Sequence, residues 1–334
     1  MKWGALIGTA VGLGLAAWLI VSFGVGEILA LLGQAGWGIL AVVLFHVVQI
    51  LFSALAWRAV AGPTAPQPSL RDFMVLRWIR EGVNNLLPVA QIGGEVVAAR
   101  LLRKRGTPLA WAVAGSVGDL TMEMLTQIVF TLLGLALLIL LVGESGVSGY
   151  VLGGLGVAAL GAVAFIAAQW FGLAGLIERG ILKLSNSFGW APLGEIGGLD
   201  AAIRGIYRRP GRVALAGWHH SVSWLLGGVE VCLALHLLGT DVGLGEGIVI
   251  EALGQALKAA GFAVPGALGV AEGGYVVVCH LFGLSPELAI ALGLVKRVRE
   301  IGLGVPALLA WQWLERRPAL PPATTPGTTT ETSA

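Results

Sequence analysis

Runs of about 20 apolar residues recur along this chain, and about 20 is the number an α-helix needs to cross the hydrocarbon core of a bilayer. They fall at about 4–23, 36–57, 121–142, 150–171 and 213–238, with a shorter run at 301–314 that extends upstream. Within hydrocarbon every backbone N–H and C=O has to be satisfied by the chain itself, which leaves helices as the natural spanning form. Composition agrees. Hydrophobic residues make up 56% of the chain and charged ones 12%, against about 25% charged in an ordinary soluble domain. The 51 glycines suit membrane helices whose backbones approach closely. The first run follows Lys2, and no A-x-A cleavage pattern precedes Glu27, so it reads as a retained helix rather than a signal peptide.

Several function classes fall away. A formal net charge of +2 gives no reason to expect nucleic acid as a partner. Cys232 and Cys279 lie in apolar stretches without CxxC or Cys/His spacing, so neither a metal site nor a disulfide framework is expected. No P-loop is present, and no cofactor is implied. Gly143-Glu-Ser-Gly146 matches the GxSG pattern of intramembrane serine proteases but occupies a short loop, and reads as a turn. His46, His219, His220, His236 and His280 show no ligand spacing and read as polar helix contacts.

Two stretches are neither clean helices nor clean loops. Residues 69–106 open with an amphipathic run, continue through Asn84-Asn85-Leu-Leu-Pro88 and the pair Gly93-Gly94, and end in Arg100, Arg103, Lys104 and Arg105. Residues 244–300 have the same character, with Pro265, Gly266 and Gly269 at the break. Apolar runs interrupted by Pro and Gly point to re-entrant or broken helices, whose freed backbone groups need protein or a wet cavity. At a constant offset of 177 positions, Pro88 meets Pro265, Glu95 meets Glu272, Gly106 meets Gly283 and Glu123 meets Glu300. Three spans separate the copies, at about 69–142 and 244–315, so they are expected to insert upside down relative to each other. Inverted repeats with broken helices are a plan of secondary transporters.

Cations set the expected orientation. With the N-terminus inside, Lys2, the eight basic residues from Arg58 to Arg105, the six from Arg179 to Arg212, and Arg316-Arg317 are cytoplasmic. The loops 24–35, 143–149 and 239–243, which hold no Lys or Arg, face the other side. The expectation is a single membrane domain over 1–317 in a bacterial inner (cytoplasmic) membrane. Both termini are inside, and the low-complexity tail 318–334 is disordered.

A charge at the centre of a bilayer costs at least about 2.5–3.5 kcal/mol on insertion scales, so ionisable residues in such segments mark either locks or sites. The candidates are Glu95, Arg100, Asp119 and Glu123 in the first copy, and Glu251, Lys258, Glu272, Lys296, Arg297, Arg299 and Glu300 in the second. Glu230 stands apart in the fifth long run. One reading has these cations pair with Glu272 and Glu300 to lock the fold, or snorkel. The other is a polar cavity for a lipid headgroup, cations taking a phosphate while Glu95 and Glu272 take an amine or a proton. Asn84 and Asn85 either donate to that headgroup or cap the broken helix.

The residues Asn84-Asn85-Leu-Leu-Pro88 with Gly93-Gly94-Glu95, then Val264-Pro265-Gly266-Ala-Leu-Gly269-Val-Ala-Glu272, then Arg297, resemble the transmembrane region of lysylphosphatidylglycerol synthetases over about residues 4–315. Ala267-Leu268 departs from that pattern, where relatives often carry another glycine. The resemblance implies a flippase-like protein that moves a lipid. The chain carries no soluble domain for making an aminoacyl lipid, so synthesis is not expected. Its length and character also resemble a branch associated with hopanoid biosynthesis, which would bring lipid-biosynthesis proteins as partners. The fold expected is an all-α polytopic membrane protein with about six spanning helices and two re-entrant or broken segments related as inverted repeats. A lipid transporter is the function expected. A non-transporting scaffold of a lipid-biosynthesis complex and an intramembrane lipid-modifying enzyme remain as alternatives.

Overall fold

The computed structural model describes residues 24–63, 67–87, 93–142, 199–261, 264–318 and 320, with 14, 17, 18, 21 and 22. The run at 150–171, most of 4–23, the loop through residue 198, Gly143–Gly146, Pro88 and nearly all of the tail lie outside the described residues. What is described is helical throughout.

Helices α1 (Val25–Ala35) and α2 (Ile39–Val60) follow each other through a 3-10 turn, Gly36–Gly38. The expected loop at 24–35 is therefore helix. Its sequence is apolar except for Glu27 in the first turn and Gln34, and it buries Ile28 and Ala35. Helix α2 explains why the chain suits a lipid environment. It turns Leu40, Leu44, Val47 and Val48 outward and buries His46, Gln49 and Ser53. This is the reverse of a soluble amphipathic helix, whose apolar stripe faces the core.

Next come α3 (Leu70–Leu86), α4 (Gly93–Lys104) and the long α5 (Leu109–Val142). Helix α3 starts at a capping box: Asp72 N–H donates to Ser69 Oγ at 3.3 Å, and Ser69 N–H donates to Asp72 Oδ2 at 3.0 Å. Such reciprocal pairing satisfies backbone donors that a helix start leaves orphaned. After the short α6 (Leu199–Tyr207), α7 (Pro210–Leu237) returns as a long apolar helix packed along α2. The second broken segment is α8 (Leu244–Ala260), a 3-10 turn at Pro265–Ala267 and α9 (Val270–His280), followed by α10 (Pro286–Arg316).

The two broken segments share one ground plan. Helices of 17, 12 and 34 residues in the first correspond to 17, 11 and 31 in the second. In both, a glycine with φ of +93° (Gly106) or +70° (Gly283) turns the chain into the long helix. That left-handed conformation costs glycine little and other L-residues more.

Among the described residues, Val25–Val60, Leu109–Val142 and Pro210–Leu237 are long and apolar enough to cross a membrane. Helix α10 has 31 residues, but Lys296, Arg297, Arg299 and Glu300 occupy its middle. Apolar side chains form two main clusters. One gathers Trp57, Phe73, Leu76, Ile79 and Leu102, the other Val42, Leu138, Leu235, Val249 and Leu292. On α2 the polar residues His46, Gln49 and Ser53 lie in sequence between Val42 of one cluster and Ala54 of the other. A polar layer is thus clamped between two apolar ones.

Gly94, the second residue of α4, lies where an added Cβ would run into the Arg80 carbonyl. Gly26 has open space at the same point. Gly94→Ala is therefore expected to lower the thermal unfolding midpoint in detergent, whereas Gly26→Ala leaves it unchanged within error.

Candidate functional site

The site is assembled from polar residues that α2, α3, α5, α7, α8 and α10 turn inward. Two ion-pair networks meet there. In the first, Arg77 and Arg80, one helical turn apart on α3, reach two acids one turn apart on α5. Arg77 holds Glu123 through both terminal nitrogens, at 2.8 and 2.5 Å, and lies 3.5 Å from Asp119. Arg80 pairs with Asp119, with Glu123 at 2.6 Å and with Glu95 of α4 at 2.6 Å. His220 of α7 meets the other Asp119 oxygen at 2.9 Å. Asp119 is wholly buried, and so needs all three partners.

The second network centres on Glu230 of α7 and the basic middle of α10. Arg299 pairs with Glu230, and Lys296 lies 3.5 Å from Glu230 and 2.5 Å from Glu251 of α8. Gln49 donates to Glu230 at 2.6 Å. Lys258 of α8 reaches Glu300 at 2.6 Å. Arg297 bridges Glu272 at 2.7 Å and Glu300 at 2.8 Å. Glu272 also accepts from Gly269 N–H at 2.7 Å, so one carboxylate caps α9 and ties it to α10. In each broken segment, then, a cation of the first short helix reaches the matching acid of the long one: Arg77 and Arg80 to Glu123, Lys258 to Glu300.

Between the networks lies a cavity of about 280 Å³. Its charged lining includes Arg77, Arg80, Glu81, Glu95, Lys258 and Arg299. Uncharged hydrogen-bonding side chains are equally prominent, among them Gln49, Ser53, Asn84, Asn85, Gln127 and Gln255. Glu95 Oε2 and Gln127 Nε2 are buried with no hydrogen-bond partner among the described residues. Interior polar groups are nearly always paired, so such atoms mark where water or a ligand group belongs. The two breaks also converge here. An added Cβ on Gly266 would stand 3.0 Å from the Asn85 carbonyl oxygen and 3.5 Å from Arg297.

The geometry sorts the expected residues. Asn84, Asn85, Glu95, Glu123 and Arg299 line the cavity. Asn84 also accepts from Gly94 N–H at 2.8 Å, serving the first turn of α4 across the break. Asp119, Glu272, Lys296 and Arg297 stand behind the lining as anchors, and Glu300 borders a small adjoining pocket. Gly93 and Gly94 open α4, while Gly266 and Gly269 sit in the second break, both with positive φ. Pro265 begins the 3-10 turn there.

Three expectations need correction. Arg100 is not in the cavity: it pairs with Glu315 at 2.6 Å near the end of α10, and its side chain is 37% exposed. Arg77 and Arg80, counted among the cytoplasmic cations, are 8% and 2% exposed. They face α5 rather than a membrane surface, and so carry no weight in orienting the chain. Finally, no described cavity cation waits unpaired for a phosphate; Arg77, Arg80, Lys258 and Arg299 each already face a carboxylate.

Sequence reading placed none of Arg77, Arg80, Glu81, Gln49 and Gln127 in a site, and read His46 only as a polar helix contact, which it is. Arginines three apart on an amphipathic helix look like a solvated face. A lone His or Gln inside an apolar run looks like incidental polarity. The signal that would have found His46 is its spacing with Gln49 and Ser53, which places all three on one helix face.

Fold and site together define a helical membrane protein with a charged interior cavity of about 280 Å³ between two broken helical segments. The model for the transmembrane region of lysylphosphatidylglycerol synthase matches residues 5–306. The chain belongs to that family. No curated protein and no solved structure matches it.

Removing one partner of a buried pair leaves a bare charge and costs about 3–5 kcal/mol, whereas an exposed pair is worth about 0–1 kcal/mol. Arg80→Ala is accordingly expected to destabilise the folded protein far more than Arg100→Ala, as read by thermal unfolding in the same detergent.

Proposed function

We propose that the chain moves a lipid across the bilayer, its polar headgroup passing through the cavity between the broken segments while the acyl chains stay outside in the membrane. The observation that carries this reading is the cavity itself: about 280 Å³ lined by amides, hydroxyls and paired charges, in a protein whose outward faces are apolar. A purely structural interior would be expected to close on its apolar residues. Membership of the lysylphosphatidylglycerol synthase transmembrane family supports a lipid as the substrate.

In this reading the two segments are inverted repeats, and about six helices span the bilayer, including runs outside the described residues. The matched helix lengths and the matched Gly106 and Gly283 turns support the repeat. Transporters of that plan bind their substrate near the midplane, where the repeats meet, and Gly266 approaches Asn85 at such a meeting point. The protein carries the lipid without chemically altering it, in a bacterial inner membrane with both termini inside. The balanced charges and the many neutral hydrogen-bonding groups favour a zwitterionic or hydroxyl-rich headgroup over a bare phosphate.

Gln255 is half-buried at the cavity wall. Gln255→Trp should fill the space and reduce translocation of fluorescent lipids in proteoliposomes at least tenfold, with folding verified by thermal unfolding. Unchanged translocation by that variant would rule out this cavity as the path. A folded wild type that moves no lipid of any headgroup would favour a scaffold in lipid biosynthesis.

A further inference from the structure

His46 stands where the two networks and the cavity meet, and both ring nitrogens already have partners. Nε2 lies 2.6 Å from Glu81 Oε1, a carboxylate of α3 whose side chain is 25% exposed. Nδ1 lies 2.9 Å from Glu230 Oε2 and, at the same time, 3.0 Å from Arg299 Nη1. One nitrogen cannot serve both. Glu230 offers a lone pair and requires a proton on Nδ1, while Arg299 offers an N–H and requires a lone pair there. The partner for each protonation state is thus in place within hydrogen-bonding reach, and the imidazole chooses between them according to whether Nδ1 carries a proton.

The charged groups facing His46 come from three helices: Glu81 from α3, Glu230 from α7 and Arg299 from α10. Gln49, on its own helix, supports Glu230 in either state. Helix α5 also packs on α2, but its Asp119 and Glu123 are taken by Arg77, Arg80 and His220. The turn Gly36–Gly38 contributes no titratable side chain. His46, Glu81 and Arg299 line the main cavity, and a small adjoining pocket of about 10 Å³ borders the same three residues. That is near the smallest volume that holds a water, so the imidazole borders space for water while Glu230, which lines neither pocket, is fully buried.

From this we propose that His46 is the proton-binding site of the cavity, and that its protonation governs the movement of the lipid headgroup. The inference rests on the transport reading and adds an ion to it. With the proton bound, Nδ1–H donates to Glu230, Nε2–H donates to Glu81, and Arg299 is held by Glu230 and, at 3.7 Å, by Glu300. When the proton leaves, Nε2–H stays on Glu81, and Nδ1 becomes an acceptor for Arg299. Arg299 lines the cavity, so its change of partner alters the wall that a headgroup meets. The proton that leaves is the one on Nδ1: that N–H bond breaks, the proton passes to water in the spaces that border His46 and Arg299, and the Nδ1–H···Glu230 hydrogen bond gives way to Arg299 N–H···Nδ1.

Five histidines make the test tractable. Protein labelled with ¹⁵N-histidine is reconstituted into liposomes, and imidazole resonances are followed by solid-state NMR from about pH 5 to 9, with His46→Gln identifying the His46 signal. Lipid translocation is measured on the same samples at each pH. The expected result is a His46 resonance passing between imidazolium and neutral forms, a wild-type translocation rate that changes over the same range, and loss of that change in His46→Gln. Should His46→Gln fail to fold, Glu230→Gln serves instead, and is expected to reduce the imidazolium fraction of His46 at a given pH. A His46 signal fixed in one state across the range overturns the proposal, as does an unaltered pH profile in folded His46→Gln. Absence of all lipid movement in folded wild type would fail the transport reading separately, since the NMR titration is read without transport.

Discussion

Burying ionised side chains in a bundle that lipid surrounds imposes a rule on how its helices can be arranged, because each charge has to meet its opposite on a neighbour. Here the interior acids are shared among helices. Asp119 joins α5 to α3 and α7, Glu230 joins α7 to α2 and α10, and Glu300 joins α10 to α8. Lipid tails are as apolar as leucine, so burial of apolar area does little to choose one helix neighbour over another. Ion pairs supply that choice. Their net contribution to stability is small or negative compared with apolar packing, but a wrong neighbour would strand a charge.

The same pairs that specify the arrangement also shape what the interior can bind. A cavity whose cations all face carboxylates does not present a free positive charge to an anion. It presents charges that can trade one partner for another. Arg80, held by acids from two helices, and Arg299, placed between Glu230 and His46, are suited to such exchange, since a headgroup can replace one partner while the other remains. Unpartnered atoms on Glu95 and Gln127 mark where exchange with water or ligand is least costly. Locking the fold and lining a site are then not rival roles for these residues; the anchors Glu272, Arg297 and Lys296 stand one layer behind the groups that line the space.

Much of this was readable from the chain. Apolar runs near the bilayer length gave helices and the membrane. Pro, Gly and Asn clusters placed two breaks, and matched Glu95 with Glu272 and Glu123 with Glu300, pairs that occupy corresponding positions in the two segments. Other parts were hidden for a physical reason. Arg77 and Arg80 belong to a helix with a polar stripe, and sequence periodicity cannot say whether such a stripe faces water or a buried acid. Arg100 carries the same charge in a similar context but pairs at the periphery. Glu27 and its neighbours looked like a loop because the apolar run there is short, yet α1 forms by packing against α10.

By itself, the sequence determined that the chain would be helical, membrane-embedded and twice interrupted, because backbone satisfaction in hydrocarbon and the spacing of Pro and Gly are local constraints. It also fixed which ionisable residues would be costly to leave alone. Only the tertiary structure decided who pairs with whom: that His46 lies between Glu81, Glu230 and Arg299, that Asp119 gathers two arginines and His220, and that the breaks converge beside a cavity. Those outcomes depend on contacts between residues far apart in the chain, and the strength of a buried charge pair depends on distance and surroundings that no single segment contains.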